Sequence, residues 1–230
     1  MPAPRAQILF ASSDAAEQDR VRACLASAGC HVLPAADGAA ALRLARTRQP
    51  DLALLDLHLP GFDGLDVCKQ LRRDPATTRL PIFILSQRNH PTDRLLALEL
   101  GADDFLPLPC DPRELCLRVR NMIARTRPTT EPTAQVHLGE LVVDLSAHEV
   151  SVAGRQLRLS PTEFKLLTAL LDHQGHVQTR AALLHQVWAN ASLATDRTVD
   201  THIRRLRAKL GKLRSWIHTV RNTGYCLKPQ

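Results

Sequence analysis

The first half of the chain alternates short apolar runs with helical segments five times. The clearest run is 51–56, where four apolar residues stand between two acids, a pattern typical of a parallel strand buried on both faces. The other predicted strands cover 8–11, 31–33, 81–85 and 105–108, and the predicted helices cover 14–28, 39–48, 64–73, 92–100 and 111–125. Five such units predict an α/β fold with a doubly wound, five-stranded parallel sheet, whose functional crevice lies at the carboxyl ends of the strands.

The second half of the chain is organised differently. Residues 126–134 are rich in Pro and Thr without apolar periodicity, which predicts a linker between domains at 1–125 and 135–230. After short β-like pieces from 136 to 159, helices are predicted at 163–172, 179–188 and 197–210, and a hairpin at 216–227. Three helices followed by a hairpin indicate a winged helix-turn-helix domain, whose third helix enters the major groove of DNA.

The predicted helix at 197–210 has an apolar face and a cationic face. Val199, Ile203, Leu206 and Leu210 recur at spacings of four, three and four, so they share one face. The candidate DNA-binding residues on the remaining surface are Arg197, Thr201, His202, Arg204, Arg205, Arg207 and Lys209. A solvated surface helix is the alternative, but such helices mix both signs of charge. Asp200 is the only acid between positions 197 and 228, which favours nucleic acid.

Charge and composition bound the function further. The formal net charge is +7, and the first 121 residues hold equal numbers of acidic and basic side chains, so the excess lies in the second half. There is no signal-peptide pattern or membrane-length apolar run, so we expect a cytoplasmic protein without membrane contact. The six cysteines lack zinc-ligand spacing, and no nucleophile–base arrangement appears, so we expect neither a metal nor an enzyme.

Five stretches of the sequence resemble the OmpR/PhoB family of response regulators, the transcription regulators of two-component systems. They are 51–61, 101–105, 160–167, 196–207 and 220–225, and the resemblance covers essentially the full length. It implies a CheY-like (flavodoxin-like) receiver domain and a winged-helix domain that binds double-stranded promoter DNA. It also implies a homodimer formed through the receiver, with RNA polymerase and a sensor kinase as further candidate partners.

The resemblance assigns the phosphoacceptor position to Asp56, but the surrounding pocket departs from the family pattern. Ser12 and Ser13 stand where the family has its Mg²⁺-binding acids, and Asp14 lies one place beyond them. Leu108 replaces the lysine that binds phosphoryl oxygens. The switch positions are retained as Ser86 and Phe105. Because a hydroxyl is a poor Mg²⁺ ligand and leucine cannot pair with phosphate, we expect lost or weak Mg²⁺ binding and no other cofactor.

The atypical, degenerate pocket predicts a receiver that acts without Asp56 phosphorylation, or depends on it only weakly. The first alternative is a conventional regulator activated by phosphorylation of Asp56. The second is a receiver that docks a ligand or a protein at the apolar stretch 106–110, which otherwise packs the emptied pocket. In the plainest interpretation, Asp56 is a carboxylate hydrogen-bonded near Ser12, Ser13 and Ser86.

The resemblance also implies roles for surface residues. Its dimer salt bridges match Arg94, Asp103, Asp104, Glu114 and Arg118, for which ordinary surface pairs are the alternative. On the DNA side it places Arg205 and His202 at bases or nearby backbone, Arg197 and Arg207 at phosphates, and Arg221 and Thr223 in the wing. Trp188 is expected to pack. Cys226 stands where some members carry a minor-groove arginine, which leaves minor-groove contact by the wing open.

Overall fold

The computed structural model describes residues 6–88, 90–126, 135–188 and 195–229. The chain divides into two compact units, Met1–Thr126 and Arg127–Gln230. The predicted linker lies outside the described residues, except for Thr126, which ends a helix. Within the described ranges, no helix has both the length and the apolar character needed to cross a membrane.

The first unit is a five-stranded parallel sheet in the order β2-β1-β3-β4-β5, which confirms the predicted doubly wound fold. The strands are β1 (Gln7–Ala11), β2 (His31–Ala35), β3 (Leu52–Asp56), β4 (Ile82–Ser86) and β5 (Asp104–Pro107). The helices are α1 (Ala15–Ser27), α2 (Gly38–Arg48), α3 (Gly64–Arg73), α4 (Pro91–Leu100) and α5 (Pro112–Thr126). Every residue of β3 and β4 is buried, as the apolar runs predict.

Alternate strand residues fill a core on each face of this sheet. One core includes Leu9, Leu55 and Ile84 and lies under α2, α3 and α4. The other includes Phe10 and Phe83 and lies under α1 and α5. Because the strands are parallel, their carboxyl ends lie at the same edge of the sheet, and polar side chains that follow β1, β3 and β4 meet there.

The second unit contains two antiparallel sheets and three helices. A four-stranded sheet, β6-β7-β8-β9, precedes the helices, and a three-stranded sheet, β10-β12-β11, contains the wing. The elements are β6 (Gln135–Leu138), β7 (Leu141–Asp144), β8 (Glu149–Val152), β9 (Arg155–Leu157), α6 (Pro161–Leu171), β10 (Gln178–Thr179), α7 (Arg180–Trp188), α8 (Asp196–Leu210), a 3₁₀ turn (Gly211–Trp216), β11 (Ile217–Val220) and β12 (Gly224–Leu227). Together, α6, α7, α8 and the β11–β12 hairpin form the predicted winged helix.

A helix cap and a close backbone approach stabilise the structure of the second unit. Ser160 caps α6 by accepting the Glu163 N–H, and the Glu163 carboxylate accepts the Ser160 N–H in return. At the start of β12, a Cβ on Gly224 would overlap the backbone carbonyl of Gln178, so glycine lets β10 pair with the wing. Strand β10 has only two residues and no alternation of its own, so the sequence analysis did not predict it.

Candidate functional sites

The carboxyl edge of the first sheet holds Asp56 as a buried, hydrogen-bonded carboxylate. Its Oδ1 accepts the N–H of His58 at 3.0 Å, and its Oδ2 lies 3.4 Å from the hydroxyl of Ser12. Asp56 is 6% exposed and Ser12 is fully buried. Burial raises the pKa of Asp56, while the His58 N–H opposes this rise by binding the ionised form.

Glu17 adds a second carboxylate that the sequence analysis missed. It lies in the first turn of α1, is only 4% exposed, and accepts a hydrogen bond from the Ser12 hydroxyl at 2.9 Å. Burial raises the pKa of Glu17, and the nearby charges of Asp56 and Asp14 raise it further. One serine proton therefore serves two buried carboxylates, which favours a proton held within the Glu17–Ser12–Asp56 cluster.

Two residues assigned to the pocket serve elsewhere. Ser13 and Asp14 are exposed, and the Asp14 carboxylate caps α1 by accepting the N–H groups of Ala16 and Glu17. The cap explains why Glu17 is the acid that turns inward. It also corrects the prediction for Asp14, which is a helix cap and an electrostatic neighbour of the cluster.

Ser86 and Phe105, at the switch positions, and Leu108, at the lysine position, each contact a different part of the first unit. Ser86 donates its hydroxyl proton to the Arg88 carbonyl at 2.8 Å, so of the three serines near Asp56 only Ser12 bonds it among the described residues. Phe105 is buried in the core. Leu108 is half-buried and lines a cavity of about 440 Å³ beside Glu17. Leucine at this position cannot neutralise a phosphoryl group, and the charged side chains of the cavity wall are Glu17 and Arg20.

The donor set around Asp56 does not fit the Mg²⁺ that a receiver pocket implies. Hydroxyls occupy both acid-pair positions, Asp14 is used as a cap, and the Ser12 hydroxyl stands between the Glu17 and Asp56 carboxylates. Over the described parts of the chain, no group of three or more His, Cys, Asp or Glu side chains is arranged to hold a metal ion. A hard cation requires about six oxygen ligands, several of them charged.

The predicted dimer residues form contacts within one chain. Arg118 donates to Asp104 at 2.8 Å and to Glu114 at 2.7 and 2.9 Å, which joins β5 to α5. Arg94 of α4 is buried beside this group, and burial lowers its pKa while Asp104 opposes the change. Burial raises the pKa of Asp104, and Arg118 holds it down.

Asp103 is internal, so its assignment to a dimer surface is wrong. Its carboxylate accepts the Ile82 N–H at 2.9 Å and the Arg72 guanidinium at 2.6 Å. Arg72 also donates to the Gly101 and Leu80 carbonyls, so the pair ties α3 to the ends of β4 and β5. In this pair the Asp103 side chain is fully buried and the Arg72 side chain is 9% exposed.

The candidate nucleic-acid interface is the outer face of α8 together with the wing turn. The apolar residues Val199, Ile203, Leu206 and Leu210 are buried, which confirms the amphipathic character of this helix. Of the predicted DNA-binding residues, six lie at the surface. Arg197, Arg204, Arg221 and Thr223 are exposed, whereas Thr201 and Arg205 are half-exposed.

Three residues predicted to contact DNA, namely His202, Lys209 and Arg207, contact other parts of their own unit. His202 is 1% exposed and packs edge-on against the buried Trp188, with ring centroids 5.2 Å apart. Lys209 donates to the capping residue Glu163 at 2.5 Å and to the Arg158 carbonyl at 2.9 Å. His202 and Lys209 each follow an apolar residue of the buried stripe by three positions, so they lie beside that stripe rather than opposite it.

Arg207, predicted to hold a phosphate, bonds to the wing in this structure. Its guanidinium donates to the Ile217 carbonyl at 3.1 and 2.5 Å and to the Thr219 hydroxyl at 2.8 Å. It also lies 5.5 Å from the ring centroid of Tyr225. All of its described contacts are therefore with β11 and β12, and we assign it to fixing the hairpin against α8.

A second missed group anchors the same face. Asp200 Oδ1 accepts the Tyr225 hydroxyl at 2.6 Å and the Arg180 guanidinium at 2.8 Å. Arg180 also stacks over Tyr225, with its guanidinium carbon 5.0 Å from the ring centroid. The one acid among the cations of this region thus joins α7, α8 and β12. Burial and the bond to Asp200 raise the pKa of Tyr225, so it remains a hydrogen-bond donor.

Each of the two units matches a known protein family. Residues 8–120 match the family model for the response regulator receiver domain, and residues 154–227 match the model for transcriptional regulatory protein, C terminal. The chain is 37% identical over 219 residues to the phosphate regulon transcriptional regulatory protein PhoB of Pseudomonas aeruginosa, with 95% of each chain covered. It is 38% identical over 232 residues to the DNA-binding response regulator MtrA of Mycolicibacterium smegmatis, with 100% of each covered. A solved mutant of RitR aligns with a TM-score of 0.70 at 24% identity, over 98% of this chain and 100% of that one, which shows the shared fold.

Proposed function

Because the chain belongs to the OmpR/PhoB family of response regulators, we propose that it regulates transcription by sequence-specific DNA binding with little or no dependence on Asp56 phosphorylation. The DNA-binding part follows from the family and from the cationic outer face of α8. The independence from phosphate is the further step, and it rests on the residues around Asp56.

The observation that carries this step is the Glu17–Ser12–Asp56 cluster. Phosphoryl transfer depends mainly on positioning and on neutralising the charge of the transferred group. The groups that bond Asp56 are the Ser12 hydroxyl and the His58 N–H; Ser12 also bonds the buried Glu17 carboxylate, and Leu108 occupies the lysine position. A phosphoryl group on Asp56 would thus add negative charge beside Glu17. Loss of the acid pair and the lysine is expected to slow the transfer on the order of 10³-fold.

The direct test is the intact mass of the full chain after incubation with acetyl phosphate and Mg²⁺. We expect no phosphoryl adduct on the parent chain and none on the Asp56→Asn control. A triple variant, Ser12→Asp, Ser13→Asp and Leu108→Lys, restores the family's charged groups and checks that the assay detects an adduct when the pocket permits one. An adduct on the parent that disappears in Asp56→Asn would establish the conventional phosphorylated regulator instead.

DNA reading is proposed for the outward residues of α8, with Arg205 and Thr201 near base edges and Arg197 and Arg204 near phosphates. Removing a side chain that bonds a base edge costs about 1–3 kcal/mol. We therefore expect Arg205→Ala to weaken binding to the cognate site by about 5- to 150-fold, with little change for unrelated DNA. Fluorescence anisotropy with a selected site and a scrambled site measures both, and equal loss on the two sequences would remove Arg205 from base reading.

A homodimer through the receiver is part of the same proposal. Arg118 is paired with Asp104 and Glu114 on this surface. Helices α4 and α5 also expose Leu96 and Leu117, which are 42% and 57% accessible. In a dimer interface, exposed leucines provide the apolar area that is buried, and the paired charges determine how the two receiver surfaces align. Sedimentation velocity of the untreated chain is expected to show a dimer that Leu117→Glu dissociates. A parent chain that sediments as a monomer in the presence and absence of DNA would exclude this arrangement.

A further inference from the structure

A cavity of about 440 Å³ lies between α1, α5 and the segments that follow β4 and β5. One face of α1 forms a wall, because its four lining residues have the i, i+3, i+4 and i+7 spacing of a single helix face; they are Glu17, Arg20, Val21 and Cys24. The other lining residues are Gln87, Leu108, Pro109, Cys110, Pro112 and Leu115. The volume falls within the range of small-molecule sites, which is roughly 300–1,000 Å³.

The charged groups of this cavity lie together at one end of the α1 face. Glu17 is 4% exposed, and the Ser12 hydroxyl bonds its Oε2, whereas no described residue donates to its Oε1. Arg20 and Gln87 are exposed, and within the described ranges their side chains have no hydrogen bond or ion pair. A carboxylate oxygen left without a donor in a buried side chain costs free energy, so a ligand that donates to it gains affinity.

The spacing of the two charges determines which polar group fits. Residues three positions apart on a helix have Cβ atoms about 5–6 Å apart. Glu17 and Arg20 do not pair with each other in the described part of the chain, so each can receive a separate group of one ligand. An ammonium and a carboxylate on the same carbon atom match this spacing. Beyond the charges, the lining is mainly apolar, with Val21, Leu108 and Leu115 available to pack against a hydrocarbon side chain.

We propose that this cavity binds an α-amino acid with an apolar side chain. The ammonium group donates to Glu17 Oε1, and the carboxylate accepts from Arg20 and Gln87. The ammonium group also brings positive charge to the Glu17 and Asp56 carboxylates, which the Ser12 hydroxyl joins at 2.9 and 3.4 Å. The ligand is a zwitterion, so it adds no net charge beside these acids.

Saturation-transfer NMR of the full chain with L-phenylalanine tests this site. We expect saturable binding that L-leucine displaces. Because 3-phenylpropionate lacks the ammonium group and phenethylamine lacks the carboxylate, each is expected to bind about tenfold more weakly, or worse. Failure of both amino acids to bind, or an equal affinity for either truncated analogue, would overturn the proposal.

A variant pair on α1 assigns the binding to the cavity. Arg20→Met is expected to weaken L-phenylalanine binding by about tenfold and to leave phenethylamine unchanged, because only the carboxylate contacts Arg20. Arg22→Met is the matched control, since Arg22 is exposed, pairs with Asp19 at 2.5 Å and does not line the cavity. Unchanged L-phenylalanine affinity in Arg20→Met, or an equal loss in Arg22→Met, would refute the assignment.

Glu17→Gln separates the two charged contacts of the ligand. It keeps an acceptor for Ser12 but removes the charge, so it is expected to weaken both L-phenylalanine and phenethylamine and to spare 3-phenylpropionate. A loss confined to 3-phenylpropionate would contradict the orientation of the ligand. These titrations contain neither DNA nor acetyl phosphate, so their failure would leave the proposals for Asp56 and α8 standing.

Discussion

Arg207→Ala separates a structural arginine from a DNA-contacting one on the same helix. The substitution removes the hydrogen bonds to the Ile217 carbonyl and the Thr219 hydroxyl and the stacking over Tyr225. A hydrogen bond from a charged group contributes about 1.5–3 kcal/mol, and a cation–π contact at a partly exposed site about 0.5–1 kcal/mol. After discounting for the partial exposure of Arg207, the expected loss of unfolding free energy is about 2–4 kcal/mol.

For a unit of about 100 residues, this loss lowers the thermal midpoint by roughly 10–20 °C. Both tryptophans of the chain, Trp188 and Trp216, lie in the winged-helix unit, so their fluorescence reports its unfolding within the intact protein. Arg204→Ala is the matched control, because Arg204 is exposed on the outer face of α8. The unfolding free energy of Arg204→Ala is expected to change by no more than about 0.5 kcal/mol, so its thermal midpoint should stay close to that of the parent chain.

DNA affinity measured across salt concentrations completes the comparison. A lost phosphate contact reduces the slope of log K against log salt by about 0.9. We expect that reduction for Arg204→Ala, and an unchanged slope for Arg207→Ala at a temperature where the variant is folded. An Arg207→Ala protein with wild-type stability and a reduced slope would refute the assignment of Arg207 to the wing.

Three further substitutions test the remaining sites. The raised pKa values of Glu17 and Asp56 mean that the folded chain retains a proton which the unfolded chain releases, so stability falls as the pH rises from about 4.5 through the raised values. Glu17→Gln is expected to flatten this fall in urea titrations followed by circular dichroism, and an unaltered pH profile would argue against a shared proton. Asp103→Asn leaves the Arg72 guanidinium buried without its carboxylate and is expected to cost about 3 kcal/mol of unfolding free energy. Sedimentation should show the same oligomeric state as the parent, and a change in association at unchanged stability would return Asp103 to the dimer surface. Gly224→Ala is expected to separate β10 from the wing, seen as faster amide hydrogen exchange in both strands, and unchanged exchange would contradict the close approach.

Much of the fold could be predicted because it follows from local periodicity. The apolar run within 51–56 and the Gly and Pro residues around the helices define the parallel sheet, and most predicted boundaries lie within two residues of the structure. Strand β10 could not be predicted in this way. Its two residues form a strand only because they pair with β12, about 45 positions later in the chain.

The site residues show where periodicity stops being informative. Spacing identified the buried face of α8 but could not show that Arg207 and Lys209 bond to other parts of the same unit. Adjacent acids pose a similar problem, because Asp103 and Asp104 have different partners although their sequence context is nearly the same. Glu17 was missed because its inward direction depends on the cap that Asp14 provides to α1.

The bonds at Asp200 hold the DNA-facing surface of the winged helix together independently of the residues that read bases. Its Oδ1 receives both the Tyr225 hydroxyl and the Arg180 guanidinium, so α7, α8 and the wing share one anchoring atom. The surface presented to DNA is therefore assembled before DNA arrives, and binding does not bear the ordering cost of about 0.5–1.5 kcal/mol per immobilised side chain for these anchors. Outward positions of α8 can be exchanged to read other bases while this inner anchor is retained. Specificity and rigidity are thus carried by different residues of one helix.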